Sequence, residues 1–485
     1  MKIPFAGRIL ILGCGSVSQC LQQLLLSQME MDFQKLTVLD FADRRSTIPE
    51  TMAAGGQYVQ ERVTQDNLAT TLGRYVGPGD LLIDLAWNIG CIDIVQWCND
   101  HQVLYINTSV EVWDPYDGAE HRPPAERTLY VRHLALRQAA RERQWHTTAV
   151  VEHGANPGLV SHWTKIALRD IAAAMLLTNL DQPRRAALEQ ALSQANYARV
   201  AMLTGTKTIH IAERDTQISR QPKAVGEFVN TWSIEGFREE GIAPAELGWG
   251  THEKRLPPGA NVHNYGPGNQ IYLAQMGINT FLRSWVPQHG EIIGMLVRHG
   301  EAFTISDHLT VWDEQTGRPL YRPTVHYAYL PTDAALASLH EFKMGGYVLQ
   351  AQQRIMTEDI ISGMDELGVL VLGHALNGWW TGSQLDIHEA RRLAPRQNAT
   401  TLQVAASVMG ALAWIIRHPA QGLCVPDDLP PDDILQVANP YLGPCPSTQT
   451  DWTPLQQRYD PFSEYRAPGQ LDAGDLWQFS NFVVS

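Results

Sequence analysis

Trp232 stands in the short polar stretch FVNTWSIEGF, residues 228–237, with Glu213 upstream in IHIAERDTQ and Glu240 downstream in REEGIAPAELGWG. An indole face flanked by carboxylates suits an organic cation, because the ring attracts positive charge and the acids neutralise ammonium groups. One chemistry that creates such a cation is hydride transfer from the carbon beside an amine. It needs a neutral nitrogen whose lone pair expels the hydride, it leaves a flat iminium, and it calls for a base that works near neutral pH. The ordinary alternative is a tryptophan in a core and glutamates facing water. Glu235 and Glu239 are equally acidic neighbours, and sequence alone does not rank them against Glu240.

A hydride needs an acceptor, and the N-terminal segment offers a site for one. RILILGCGSVSQCLQQLL reads as strand, glycine turn and helix. Gly13 permits the tight turn and Gly15 lets the backbone approach a pyrophosphate. Ser16 and Val17 open the helix whose N-terminal partial charge would face it. The third motif position is Ser18 in place of Gly or Ala. Asp40 ends the second strand, placed to accept hydrogen bonds from ribose hydroxyls and to repel a 2′-phosphate, which favours NAD over NADP. Arg44 and Arg45 follow and keep the phosphorylated cofactor as the alternative.

Those residues need a frame. RILILG (8–13), KLTVLD (35–40), LLIDLAW (81–87), VLYINTS (103–109) and HTTAVVEHG (146–154) are apolar or β-branched runs of strand length, separated by segments with helical spacing. Such runs predict a parallel sheet covered on both faces. The expected class is α/β, a Rossmann-type doubly wound parallel sheet, with a second α+β domain. From about residue 160 the rhythm changes. One or two helices over 159–200 precede TKTIHIAERD, EFVNTWSIEGF, NQIYLAQM, NTFLRSWVP, EIIGMLVRH and AFTISDHLTVWD, whose alternation predicts strands with one face solvated or lining a cleft. Helical spacing returns in DAALASLHEFKM and in NATTLQVAASVMGALAWIIRHP, 398–419. The expected division is a nucleotide-binding domain over 1–158 and a substrate-binding and dimerisation domain over 159–397. Helix 398–419 is too apolar to stand exposed, and the tail needs a surface to wrap. Segments from about 398 to 485 are therefore expected to return to the first domain.

Longer strings carry a family likeness. GANPGLVS, IHIAERDTQ, FVNTWSIEGF, PAELGWGTHE, VHYAYLP, DELGVLVLGH, QNATTLQV and PYLGPC…TDWTPL resemble the bacterial NAD-dependent homospermidine synthases, relatives of the saccharopine dehydrogenases. The resemblance covers essentially the whole chain. It implies an enzyme in which NAD takes a hydride from putrescine and the imine exchanges its ammonia for a second putrescine. The same cofactor then reduces the new imine to homospermidine. Spermidine is the further donor the family uses, with release of 1,3-diaminopropane, and a homodimer is implied. Carried over by position, Trp232 offers its ring to the cation, Glu213 and Glu240 hold substrate nitrogens, and His299 stands near the reacting centre. Asn156 is a polar pocket residue, and Asp365 and Glu111 are acids around the substrate entrance. One departure is Asn88 in DLAWNIG, where relatives carry an acid. A saccharopine- or carboxynorspermidine-type dehydrogenase, which would grip an α-carboxylate with arginines, is the rival enzyme reading. An NAD-dependent sensor is the non-enzymatic one.

Composition sets the remaining bounds. The 485 residues, 44% hydrophobic and 18% charged, suffice for two or three globular domains. Acidic residues outnumber basic ones 51 to 37, a balance that repels nucleic acid phosphates, so no nucleic-acid partner is expected. Cys14, Cys20, Cys91, Cys98, Cys424 and Cys445 form no CxxC, and His388–Glu389 lacks a second histidine at ligand spacing. Neither a disulfide framework nor a metal site is expected, and a reducing, cytoplasmic setting is. No unbroken apolar run reaches the roughly 18 residues of a bilayer span, so no membrane partner is expected.

Overall fold

The computed structural model describes residues 2–118, 121–459, 461–462 and 471–484. Its first sheet has seven parallel strands in the order Leu423–Cys424, Ala149–Val150, Leu104–Asn107, Leu81–Asp84, Ile9–Leu12, Leu36–Asp40 and Gln57–Gln60. The four central strands are buried at every residue, which is why their sequences are apolar without alternation. Ile9 and Ile11 face one helical layer with Leu21, Leu24 and Leu402; Leu10 and Leu12 face the other with Ile94, Val95 and Leu136. Strand order reverses at Ile9–Leu12, and the crevice outside the C-terminal strand ends at that point is where such sheets bind ligands.

Helix Ala399–Arg417 packs against helix Ser16–Gln28, and Leu423–Cys424 adds the seventh strand, so the chain returns to the first sheet after building the second. By length and composition this helix could cross a membrane, but it is buried almost throughout inside the protein. Asn398 caps it: its side chain accepts from Thr401 N at 2.7 Å and donates to the carbonyls of Thr231 and Met356.

The second sheet has ten strands. Thr324–Leu330 and Thr208–Asp215 run parallel at its centre. Pro244–Gly248, Gln270–Met276 and Ala260–Val262 continue one side, Met364–His374, Asn377–Asp386 and Ser447–Thr450 the other, all antiparallel. The hairpin Phe281–Val286/Gly290–Met295 branches from Thr324–Leu330.

Four expectations are corrected. EFVNTWSIEGF is not one strand: Glu227–Asn230 gives way to helix Ile234–Ile242, whose N-cap Ser233 accepts from Gly236 N at 3.0 Å. AFTISDHLTVWD is mainly helix Glu301–His308, because Ala302, Ile305 and Leu309 satisfy a helical period as well as Phe303 and Ile305 satisfy an alternating one. Residues 159–204 form three helices, Leu159–Leu176, Gln182–Ser193 and Tyr197–Thr204. The tail beyond 446 lies on the second sheet, not the first. Ser447–Thr450 pairs with its edge strand, and Trp452, Trp477, Phe479 and Phe482 pack on Leu282, Leu370 and Trp380. The first sheet had both faces covered already, whereas the second offered an open edge and an apolar face.

Candidate active site

The nucleotide turn is built as its glycines require. Gly13 has φ +87, and a Cβ there would lie 2.7 Å from the Leu85 carbonyl oxygen. Gly15 is the N-cap of helix Ser16–Gln28, with no side chain bonded over the first turn, and a Cβ on it would meet nothing within 4 Å. The first-turn amides of Ser16 and Val17 therefore face open space with the helix dipole behind them, a fit for a pyrophosphate. Asp40 is buried and accepts from Cys14 N at 2.7 Å and from Ala42 N at 2.8 Å. Each oxygen keeps a lone pair for a ribose hydroxyl. Arg45 is held over the Tyr58 ring, 5.8 Å from its centroid. These residues fit an adenine dinucleotide.

Val17 also lines a cleft of about 200 Å3 that contains Glu111, Asn156, Glu213, Trp232, Glu240 and His299. Six of the seven non-nucleotide site residues thus meet beside the glycine turn. Glu213 lies on strand Thr208–Asp215 and accepts from Asn156 Nδ2 at 3.1 Å and from the Tyr327 hydroxyl. Burial pushes its carboxyl up to about 8; the Tyr327 hydrogen bond opposes the rise and Asp215 adds to it. Trp232 sits in the link between Glu227–Asn230 and Ile234–Ile242, half-buried, with Nε1 donating to the Tyr329 hydroxyl at 2.9 Å. Its ring edge lies where a Cβ on Gly236 would meet it at 3.1 Å.

Helix Ile234–Ile242 ranks the three neighbouring glutamates. Glu235 faces Arg238 at 3.8 Å. Glu239 is clamped by Arg298 at 2.5 Å and Arg132 at 2.6 Å; against its burial, these two guanidiniums lower its carboxyl below the usual range. Glu240 is left to the cleft, with Oε2 3.0 Å from His299 Nε2. Burial alone would lower His299, but the charges of Glu301 and Glu240 outweigh it and hold the imidazolium well above its ordinary range.

Two residues are placed differently from expectation. Asp365 is not at the entrance: it is fully buried on strand Met364–His374 opposite Asp215, and meets the cleft lining at Thr400, whose hydroxyl donates to it at 2.6 Å. Burial, reinforced by Glu213 and Asp215, raises its carboxyl well above the usual range. Glu111 does line the cleft and also an adjoining hollow of about 420 Å3, and Ser109 donates to it at 2.8 Å. Burial and the nearby Glu239 raise it to about 8. Asn88 stays outside the cleft lining and has φ 65, a conformation asparagine tolerates. Sequence reasoning missed Tyr327, the Arg132–Glu239–Arg298 clamp and Glu301. The His299-Gly300-Glu301 string was the available signal for the last. Among the described residues no cluster of three or more His, Cys, Asp or Glu could hold a metal ion.

Comparison with known proteins places the chain in a family. Residues 9–150 match the family described as the saccharopine dehydrogenase NADP binding domain, and residues 154–446 the saccharopine dehydrogenase C-terminal domain. The homospermidine synthase of Blastochloris viridis is 42% identical over 99% of this chain and 97% of its own length. That of Mesorhizobium japonicum is 39% identical over 99% and 96%. The solved homospermidine synthase of Legionella pneumophila, in complex with NAD, is 37% identical and superimposes with a TM-score of 0.88 over 100% of this chain and 99% of that one. The chain belongs to the homospermidine synthase family.

Proposed function

We propose that the enzyme joins two putrescines, or spermidine and putrescine, into homospermidine. The observation that carries this reading is the cleft in which Trp232, Glu213 and the Glu240–His299 pair meet next to the glycine turn. NAD, held by the Gly13–Val17 turn and Asp40, supplies the acceptor and donor of hydride when bound. The chain's own residues do the rest. Glu213, oriented by Tyr327 and Asn156, receives a substrate nitrogen and ionises as the dication enters. Glu240 Oε2, with His299 behind it, takes the proton that must leave an ammonium before its lone pair can act. Trp232 presents its ring to the iminium, which is worth about 2 kcal/mol or more in a desolvated site. Glu111 extends the acidic lining toward the adjoining hollow, and Asp365 supports Thr400 from behind.

A dehydrogenase of α-carboxylate substrates would need free arginines. Arg132 and Arg298 do line the cleft, but both are paired to Glu239, and Arg298 also donates to the Arg127 carbonyl at 2.6 Å. That feature supports the synthase over the rival. The reading divides the chain into a nucleotide part, residues 1–158 with helix Ala399–Arg417 and strand Leu423–Cys424, and a substrate part over 159–397. It includes a homodimer, which the family likeness implies. Sedimentation at twice the 54.1-kDa chain is expected.

The test is incubation with putrescine and substoichiometric NAD. Homospermidine in molar excess over NAD, without net NADH, is expected. NADH accumulating in step with substrate loss means a dehydrogenase, and no turnover means a sensor.

A further inference from the structure

Glu301 does not line the cleft described above, and packing does not explain it. Its side chain is fully buried at the start of helix Glu301–His308, and neither carboxylate oxygen has a well-formed hydrogen bond among the described residues. An ionisable group so enclosed opposes folding unless a charge answers it. The answering charge is His299, whose Nδ1 lies 3.3 Å from Glu301 Oε1. Its other ring nitrogen is the one that meets Glu240. The imidazole therefore bridges a carboxylate that lines the cleft and one that does not.

The surroundings keep this arrangement in place. Gly300 separates the two residues because a Cβ there would fall 1.9 Å from Glu152 Oε2. Glu152 itself has φ 58 and pairs with His133 at 2.9 Å. The groups facing His299 are Glu240 from helix Ile234–Ile242, Glu301 from the first position of helix Glu301–His308 and the Tyr327 ring, 4.4 Å away, from strand Thr324–Leu330. Glu152 and His133 lie behind Glu301, and Glu213 lies across the cleft.

The reaction proposed above, on which this inference rests, has a closed proton balance. Two putrescine dications become one homospermidine trication and one ammonium ion. Within the turnover, the donor ammonium loses a proton before its α C–H leaves as hydride. The second ammonium loses another before its nitrogen adds to the iminium carbon. One proton leaves with the departing ammonia as its C–N bond breaks. The other ends on the secondary amine formed when the hydride and its electron pair return to carbon. Each proton must be held between these events in a site that excludes water.

We propose that Glu301 is a positioning residue, fixing the orientation and charge of His299 so that the Glu240–His299 pair can hold and return that proton. A carboxylate behind an imidazole does this by setting which nitrogen carries the proton and by stabilising the imidazolium.

The experiment compares kcat, putrescine KM and the pH profile of kcat for wild type, Glu301→Gln and Glu301→Asp, with melting temperature and NAD affinity measured on each. For Glu301→Gln, kcat is expected to fall roughly tenfold or more. KM and NAD affinity should stay within about threefold, a loss confined to the transition state. The limb of the profile governed by His299 should move to lower pH, because removing an anion lowers an imidazolium pKa. Glu301→Asp should recover part of both effects. An unshifted profile overturns the proposal, whether kcat is unchanged or falls in step with melting temperature and NAD affinity. If wild type makes no homospermidine, the functional reading itself falls and takes this inference with it. If wild type makes it and only the variant is silent on pH, the inference alone falls.

Discussion

The Trp232 indole donates to Tyr329 and keeps an aromatic face for the cleft, so anchoring and the proposed cation binding can be separated by substitution. Trp232→Phe keeps the ring and loses the hydrogen bond and part of the field, whereas Trp232→Ala loses all three. Activity is expected to fall modestly in the first and by roughly thirtyfold or more in the second, the equivalent of about 2 kcal/mol. Steady-state kinetics on folded variants check this, and equal losses would make the ring mere packing. Glu213 offers a second handle. Its folded pKa, about 8, lies above the unfolded value of 4.5 because of burial. The stability it contributes is thus fully present below about pH 4.5 and is lost as pH rises through about 8. The empty enzyme should melt at a lower temperature at pH 8.5 than at pH 6.5. The drop should be smaller in Glu213→Gln, and it should shrink in wild type with putrescine, whose charge compensates the ionised acid. Thermal melts across that range decide it.

Elements put these residues in phase. Glu240 could not be separated from Glu235 and Glu239 by composition, because ranking them requires knowing that 234–242 is a helix and which of its faces meets Arg132 and Arg298. FVNTWSIEGF hides that helix behind a strand-like beginning. The first sheet was legible for the opposite reason: Ile9–Leu12, Leu36–Asp40, Leu81–Asp84 and Leu104–Asn107 are buried on both faces, so their runs admit one reading. Gln57–Gln60 and Leu423–Cys424 carried no such signal, being short strands at the two edges of the sheet. Asn398 shows how an element end serves the site. It caps helix Ala399–Arg417 and ties Thr231, the residue before Trp232, to it. Asn398→Ala should cost about 2–4 kcal/mol in chemical unfolding, from the lost cap and two buried carbonyls left without a donor. Putrescine KM should rise while NAD affinity holds.

At the scale of the molecule, the chain crosses from the first sheet to the second, returns, and crosses again. The final aromatic cluster covers the second sheet, where Trp477, Phe479 and Phe482 are buried against Leu282 and Trp380. Removing residues 471–485 strips that face. The truncated chain should lose several kcal/mol, as large aromatic-to-alanine changes do, and should melt well below the full chain. An unchanged melt would mean the tail is dispensable. The chain's passage between the sheets also leaves the glycine turn beside the acidic cleft, whose lining includes Val17, which lets a single cofactor serve both halves of the cycle. The most direct test of that claim uses putrescine deuterated at both α carbons, turned over in the presence of excess unlabelled NADH. If the hydride removed from the donor is returned within the same turnover, homospermidine retains every deuterium. Loss of one deuterium per product, replaced by hydrogen from the added NADH, would contradict the account.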